Sequence, residues 1–454
     1  MLADLRAIVG ENGVLTGERL ASRVYDKHVG TVAARVLVRP STTEQVSAVL
    51  RLCHSRGQPV VPHGGLTGLV YGCSARENEL LLSLECLNQI ESVDVAGRTM
   101  RVQAGVTLQR VQEEAERFNL MFPLDLGARG SATIGGNIAT NAGGMRVVRF
   151  GMTRSLVLGL EVVLAEGAIL HSLNRMLKNN AGYDLKHLFI GTEGTLGIVT
   201  RADLRLVSRP ISTCAAFVAC KHFSAMVSLL GMLDARLGGQ LSAFEAMWPE
   251  FYELTTTPPA RSSPILSYGH GVYALIEALG ADPAADRERF ERVLSDAMES
   301  DLIVDAVIAK SEADRNTMWA PREDVFQMDR YGTSHSFDVS LAIADMPRYL
   351  DAFHGALRAR FPDARSFVFG HVADGNLHIS VCAGDVDVRA IEECVYEPLR
   401  SIPGSISAEH GIGLERKPYL EISRTGAEIA TMRALKAALD PRGILNPGKV
   451  IDVH

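Results

Sequence analysis

No run of about twenty continuous apolar residues occurs in the chain, so nothing in it reads as a membrane-spanning helix. Positive charge is in deficit. The net charge of -7 and a pI near 6.0 leave no basic field to hold a phosphate backbone, which argues against nucleic acid as a partner. The cysteines Cys53, Cys73, Cys86, Cys214, Cys220, Cys382 and Cys394 are odd in number, scattered and free of any CxxC pair. They read as reduced, mostly buried thiols, which fits a cytoplasmic protein. The opening "MLADLRAIVGENG" has early acidic residues and no long apolar stretch, unlike a signal or transit peptide. No GxGxxG stands between a first strand and a helix, and no Walker A sequence occurs, which disfavours nicotinamide and ATP. No internal repeat at solenoid periods is present.

What is there is the composition of an ordinary globular enzyme, 47% hydrophobic and 22% charged over 454 residues. Across residues 36–205, strand-like runs ("RVLVRP", "QPVVPHGG", "RTMRVQAGV") alternate with helical patterns. "TEQVSAVLRLCHSRG" predicts a helix capped by Thr43 and stopped by Gly57. "LVLGLEVVLAEGAIL" predicts two strands across a Glu166-Gly167 turn. Across residues 210–415 a strand-helix-strand rhythm predicts a second sheet covered by helices, with "MWPEFYELTTTPPARSSPILSYG" irregular or a lid. A last helix, "EIATMRALKAALD", precedes "PRGILNPGKV". The layout is α+β.

Three glycine loops stand beside strands: "PHGGLTG" (62–68), "GSATIGGNIATNAGG" (130–144) and "GTEGTLGIVT" (191–200). Backbone N–H groups of such loops can converge on phosphate without a lysine. Any one of them alone reads as a surface turn; three in one zone favour a large phosphate-bearing cofactor.

"FGHVADGNLHIS" (369–380) places His371 and His378 an odd number of residues apart around Asp374-Gly375-Asn376. On one continuous strand they would face opposite sides, and in a helix Gly375 would be costly. A strand ending near His371, a turn, and a strand starting near His378 let both imidazoles converge. Glu409 in "SAEHGIG" adds a carboxylate, completing the three-ligand set of a catalytic metal with an open position. Zinc is favoured, with manganese or cobalt tolerating similar ligands. Taken singly, each histidine reads as a local hydrogen-bonding residue. Asp374 reads as orienting an imidazole or the turn.

Together "PHGGLTG", "IGGNIATNAGG", "NNAGYDLKHLFIGTEGTLGIVT", "GHVADGNLH", "SAEHGIG" and "LDPRGILNPGK" make the chain resemble FAD-linked dehydrogenases of the vanillyl-alcohol-oxidase-like flavoprotein group, in the D-2-hydroxyglutarate/D-lactate dehydrogenase branch. The resemblance spans nearly the whole chain in the same motif order. "NAGGMRVVRFG" and "NNAGYDLKHLFIG" look more like the hydroxyglutarate type. It implies a two-part FAD-binding domain over 1–207 and an α+β substrate (cap) domain with an antiparallel sheet and the metal site over 208–415. A short helical C-terminal segment, 416–454, would return to the flavin.

The resemblance further implies non-covalent FAD. Pro62, Gly64, Gly65, Leu66, Thr67 and Gly68 would serve the pyrophosphate, and Gly130, Ser131, Ile134, Gly135, Gly136, Asn137, Thr140, Asn141 and Gly143 the flavin. Glu193, Gly194, Gly197, Ile198 and Val199 would close the adenosine side, with Asn446 returning from the C-terminus. His63 departs from the Gln or Arg that relatives often carry, and reads as a polar loop contact ahead of a covalent flavin link. The implied reaction is oxidation of a D-2-hydroxy acid to the 2-oxo acid: the metal grips the substrate, His410 takes the hydroxyl proton, and hydride passes to flavin N5. A second acceptor, such as an electron-transfer flavoprotein or a quinone, would take the electrons. A homodimer is an open possibility.

Arg322 in "MWAPREDVF" matches the family's carboxylate clamp; the plainer alternative is an ion pair with Glu323 or Asp324. Asn376 is a second candidate donor to the substrate carboxylate. Some hydroxyglutarate-type relatives carry Thr and Lys where this chain has Phe326 and Ser336, which makes D-lactate or a larger apolar D-2-hydroxy acid a competitor. Rivals of other classes are a flavin-free metal-dependent hydrolase and a non-catalytic FAD electron-transfer subunit.

Overall fold

Thr42, rather than Thr43, starts the first long helix of the computed structural model, which describes residues 1–25 and 29–452. The Thr42 hydroxyl accepts the Gln45 N–H and Gly57 ends the helix Thr43–Arg56 in the left-handed region. Thr43, one residue inside, instead donates its hydroxyl to the buried Glu161 carboxylate at 2.6 Å. A threonine pair offers the sequence two equivalent caps, and a tertiary partner decides between them.

The chain divides into two compact units. The first comprises Met1–Gly144, Gly151–Arg209 and Glu409–His454. One of its sheets runs Val14–Leu15, Val36–Val38, Leu80–Ser83, Val60–His63, parallel except for the first pair. The other is antiparallel: Ile90–Asp94, Thr99–Gln103, Ile198–Arg205, Val157–Val163, Ile169–Ser172. Val38, Val60 and Leu82 of the first sheet share a core with Val163 and Ile198 of the second. Strand Val157–Val163 is buried at every position, and its one charge, Glu161, is met by Thr43, Thr200 and Arg201.

The second unit comprises Met145–Phe150 and Pro210–Ala408. Its eight-stranded antiparallel sheet runs Asp305–Ile308, Ser212–Cys220, Val272–Gly280, Leu241–Met247, Arg365–Gly370, Asn376–Cys382, Ser334–Leu341, Gly404–Ser405. Helices Phe223–Arg236 and Pro283–Glu299 pack on it. The α+β architecture with a helix-covered antiparallel sheet is therefore as the sequence implies.

The division differs from the expected 1–207, 208–415 and 416–454. Residues 145–150 join the second unit because Arg149 donates to the Leu279 carbonyl at 2.5 Å and Arg146 faces Glu277. Residues 409–415 join the first unit, together with the C-terminal segment, because Glu193 and the Val70 carbonyl hold their backbone N–H groups. The stretch expected to be irregular or a lid begins instead as a helix. Pro249–Thr256 is a helix with proline in its first turn and with Phe251, Tyr252 and Leu254 buried. The irregular chain after it is tied down by Tyr252, whose hydroxyl accepts the N–H groups of Ile265 and Leu266 at 2.7 and 2.9 Å.

Candidate active site

In the first unit, strand Val60–His63 runs straight into the 64–68 glycine turn. A Cβ on Gly65 would lie 2.0 Å from the Ser131 carbonyl oxygen, so only glycine lets this turn meet the second glycine loop. That loop, read from the sequence as a glycine loop lining the flavin, winds into a short helix, Ile134–Thr140, capped by Thr133. The three loops line one cavity of about 370 Å³, joined by Glu409, His410 and Asn446.

Of the residues expected to contact cofactor, Gly130, Ser131, Ile134 and Asn141 are not on the cavity wall. Ile134 is in the apolar core, and the Asn141 side-chain oxygen accepts the Arg154 N–H. Residues on the wall that the motifs did not single out include Leu69, Val70, Cys73, Leu126 and Phe189. Their signal was lost because each reads as ordinary core.

His63 is 1% exposed and does not line the cavity. Its Nε2–H donates to the Cys73 carbonyl at 2.9 Å, which fixes the neutral tautomer. Burial pushes its pKa down to about 4 from the usual 6.5. The unfolded chain therefore takes up this proton first as the pH falls. Stability should be complete above pH 6.5 and decline by about 3 kcal/mol as the pH drops to about 4. His63→Gln should flatten that part of a denaturation-versus-pH curve, and an unchanged slope would contradict it.

The segment after Ala408 carries two of the candidate site residues, Glu409 and His410. Glu409 Oε1 accepts the Gly144 N–H at 2.6 Å, tying this carboxylate to the end of the second glycine loop. The buried Arg416 guanidinium lies 3.2 Å from His410 Nδ1. A guanidinium only donates, so Nδ1 accepts and the neutral ring carries its proton on Nε2. Glu193 accepts from Ile412 and Gly413; burial pushes its carboxyl pKa up, while those N–H groups and Arg416 oppose the shift.

In the second unit, strand Arg365–Gly370 ends just before His371, a 3-10 turn covers Val372–Asp374, and strand Asn376–Cys382 carries His378. The rings of His371 and His378 are 5.1 Å apart at 82°. A buried carboxylate that the sequence reading missed, Glu245 on the neighbouring strand, organises this region. His371 Nδ1 approaches its Oε1 at 2.5 Å, and Arg322 Nε donates to its Oε2 at 2.7 Å. Burial alone would raise the Glu245 carboxyl; the charges and hydrogen bonds of His371 and Arg322 override it and hold it down to about 2.

Arg322 therefore pairs with neither Glu323 nor Asp324. It is buried and stacked 4.6 Å from the Phe369 ring centroid. Asn376 donates from Nδ2 to Asp338 and to the Val339 carbonyl, and only its Oδ1 lacks a partner. That leaves it an acceptor, the wrong polarity for a substrate carboxylate. Phe326 is 78% exposed, and the Ser336 and Ser380 hydroxyls bond to each other at 3.1 Å. Asp374 accepts the Asn376 N–H and so serves the turn.

Residues 209–450, more than half of the chain, match the C-terminal domain of FAD linked oxidases, and residues 34–172 match an FAD binding domain. The chain belongs to the FAD linked oxidase family. It is an FAD-dependent oxidoreductase of α+β fold, which sets aside the hydrolase reading. It is 40% identical over 428 residues to the mitochondrial D-2-hydroxyglutarate dehydrogenase of Bos taurus, covering 93% of this chain and 78% of that one. It is 39% identical over 423 residues to the D-2-hydroxyglutarate dehydrogenase of Xanthomonas citri pv. viticola, covering 91% and 89%. p-Cresol methylhydroxylase shares the fold at a TM-score of 0.79 and 16% identity, over 100% of this chain and 96% of that one. Among the described residues, no helix is long and apolar enough to cross a membrane.

The cavity fits FAD. Asn137 Nδ2 and Asn446 Oδ1, a donor and an acceptor on residues of its wall, are buried without a protein partner, which a polar cofactor edge would supply. The imidazole of His371 fits a metal in its neutral form: Glu245, 2.5 Å from Nδ1, accepts from Nδ1–H in the tautomer that would turn the Nε2 lone pair to a metal.

Proposed function

We propose that this oxidoreductase converts a D-2-hydroxy acid, D-2-hydroxyglutarate first, to its 2-oxo acid. The observation that carries this is the identity to D-2-hydroxyglutarate dehydrogenases across nine-tenths of the chain, with the flavin cavity and the histidine turn in the order those motifs imply. Bound FAD supplies a two-electron acceptor, and a divalent metal, zinc first, supplies a Lewis acid that acidifies the substrate hydroxyl. His371, His378 and Glu409 are the proposed ligands. Glu245 keeps the His371 ring in its ligating tautomer. Arg322 is the proposed carboxylate clamp: Glu245 takes its Nε, and its two terminal nitrogens form the fork that suits a carboxylate. Reoxidation falls to a separate acceptor, an electron-transfer flavoprotein or a quinone.

His410 is the proposed base for the hydroxyl proton. One contact favours a second role: because Arg416 donates to Nδ1, the neutral ring offers an Nε2–H donor, and it can accept a proton only once Arg416 withdraws. His410→Ala should keep the flavin and slow its reduction by ~10²-fold or more. His410→Gln, which can donate but not take a proton, separates the roles. Recovery of most of the rate supports the donor, and a loss equal to that of Ala supports the base.

A monocarboxylate is the competing substrate, favoured by the neutral Ser336–Ser380 pair and the exposed Phe326. Anaerobic bleaching of the flavin by D-2-hydroxyglutarate, D-lactate, D-malate and D-mandelate, with and without chelator, tests the reading. Fastest bleaching by D-2-hydroxyglutarate, abolished by chelator, is the expected result. Fastest bleaching by D-lactate or D-mandelate moves the substrate to a monocarboxylate, and bleaching by none of the four contradicts the function.

A further inference from the structure

We propose that Glu193 is a positioning residue for His410: its carboxylate fills an anion nest in the Gly411–Gly413 backbone and so fixes the turn that carries the imidazole. This rests on the reading that His410 acts on the substrate. Both carboxylate oxygens are committed, Oε1 accepting the Ile412 N–H at 2.7 Å and Oε2 the Gly413 N–H at 3.0 Å, from partners more than two hundred positions away. Gly411 (φ 90°) and Gly413 (φ 53°) flank Ile412 in left-handed conformations, the backbone shape that aims successive N–H groups at one anion. The fit is close, since a Cβ on Gly411 would lie 2.8 Å from Oε1.

The clamp has a rigid base. The Glu193 N–H donates to the Ala139 carbonyl at 2.7 Å, and its carbonyl accepts from Asn446 Nδ2 at 2.7 Å. Glu193 itself sits at φ 53°, a left-handed conformation that is unfavourable for a residue with a side chain. Asparagine or glycine would suit that backbone better, so glutamate at this position is explained by what its carboxylate does. The nest follows His410 directly in the chain, and Arg416 N–H returns to the Ile412 carbonyl at 3.0 Å, so the arginine that meets His410 hangs from the same turn. The resemblance made Glu193 a cofactor contact, and the residue is part of the cavity wall. Its carboxylate is committed to the turn that carries His410.

The test is a cycle of Glu193→Gln, His410→Ala and the double variant in the flavin-loaded protein, read by flavin content, anaerobic flavin reduction by the best hydroxy acid, and its KM. A glutamine can accept only one of the two N–H groups and turns an N–H₂ toward the other. Reduction should slow about ten-fold or more, with flavin retained and KM little changed. In the His410→Ala background the same change should have no further effect. An equal loss in both backgrounds, or loss of flavin with an unchanged rate per bound flavin, would overturn the proposal. If His410→Ala alone leaves reduction unchanged, the reading of His410 fails instead. Should Glu193→Gln not fold, Gly411→Ala crowds the same nest and should slow reduction in the same way; an unchanged rate there would also overturn it.

Discussion

On the proposed metal site, His371→Ala is expected to yield a yellow protein that no longer binds a divalent metal and has lost at least ~10³ in turnover. A Lewis acid contributes several kcal/mol to an alcohol oxidation through its hold on the hydroxyl oxygen, and about 4 kcal/mol corresponds to that factor. The flavin cavity is lined by residues of the first unit, whereas His371 is in the second, so flavin should stay. Metal analysis and turnover of the same sample check this. Full turnover in a sample without metal would remove the ion from the mechanism.

The second large effect falls on the cofactor. Gly65→Ala inserts a methyl group 2.0 Å from the Ser131 carbonyl oxygen, where neither loop can yield without moving backbone. Overpacking of this kind costs about 1–3 kcal/mol, which on a loop that lines the cofactor cavity means ~10- to 100-fold weaker FAD binding. Purified variant should be pale and should regain colour only with added FAD. Stoichiometric flavin in the purified variant would show that the loops do not meet as described.

Much of the fold was legible because its elements announce themselves locally. The apolar runs of "LVLGLEVVLAEGAIL", parted by the Glu166-Gly167 turn, gave the strands Val157–Val163 and Ile169–Ser172 with Gly167 at φ 88°. Likewise the odd spacing of His371 and His378 gave a strand, a turn and a strand. The glycine loops pointed to the cavity because glycine is needed where backbones nearly touch. The groups that organise the site left no such mark. Glu245 is one acidic residue in "LSAFEAM", and nothing local says that Arg322, 77 positions on, will meet it. Glu193 and its nest are further apart still. Side-chain commitment was equally hidden: Asn376 looked like a donor for substrate until Asp338 and Val339 took both its N–H groups. Part of "MWPEFYELTTTPPARSSPILSYG", expected to be irregular or a lid, is the helix Pro249–Thr256, because proline in a first turn starts a helix and burial of Phe251 and Tyr252 holds it.

The most direct measurement is an anaerobic single turnover: flavin-loaded protein mixed with excess D-2-hydroxy acid, with flavin absorbance and 2-oxo acid followed together. The account predicts one equivalent of 2-oxo acid for each flavin bleached, with no reaction by the L enantiomer. Flavin that stays oxidised, or bleaching without 2-oxo acid, would contradict it.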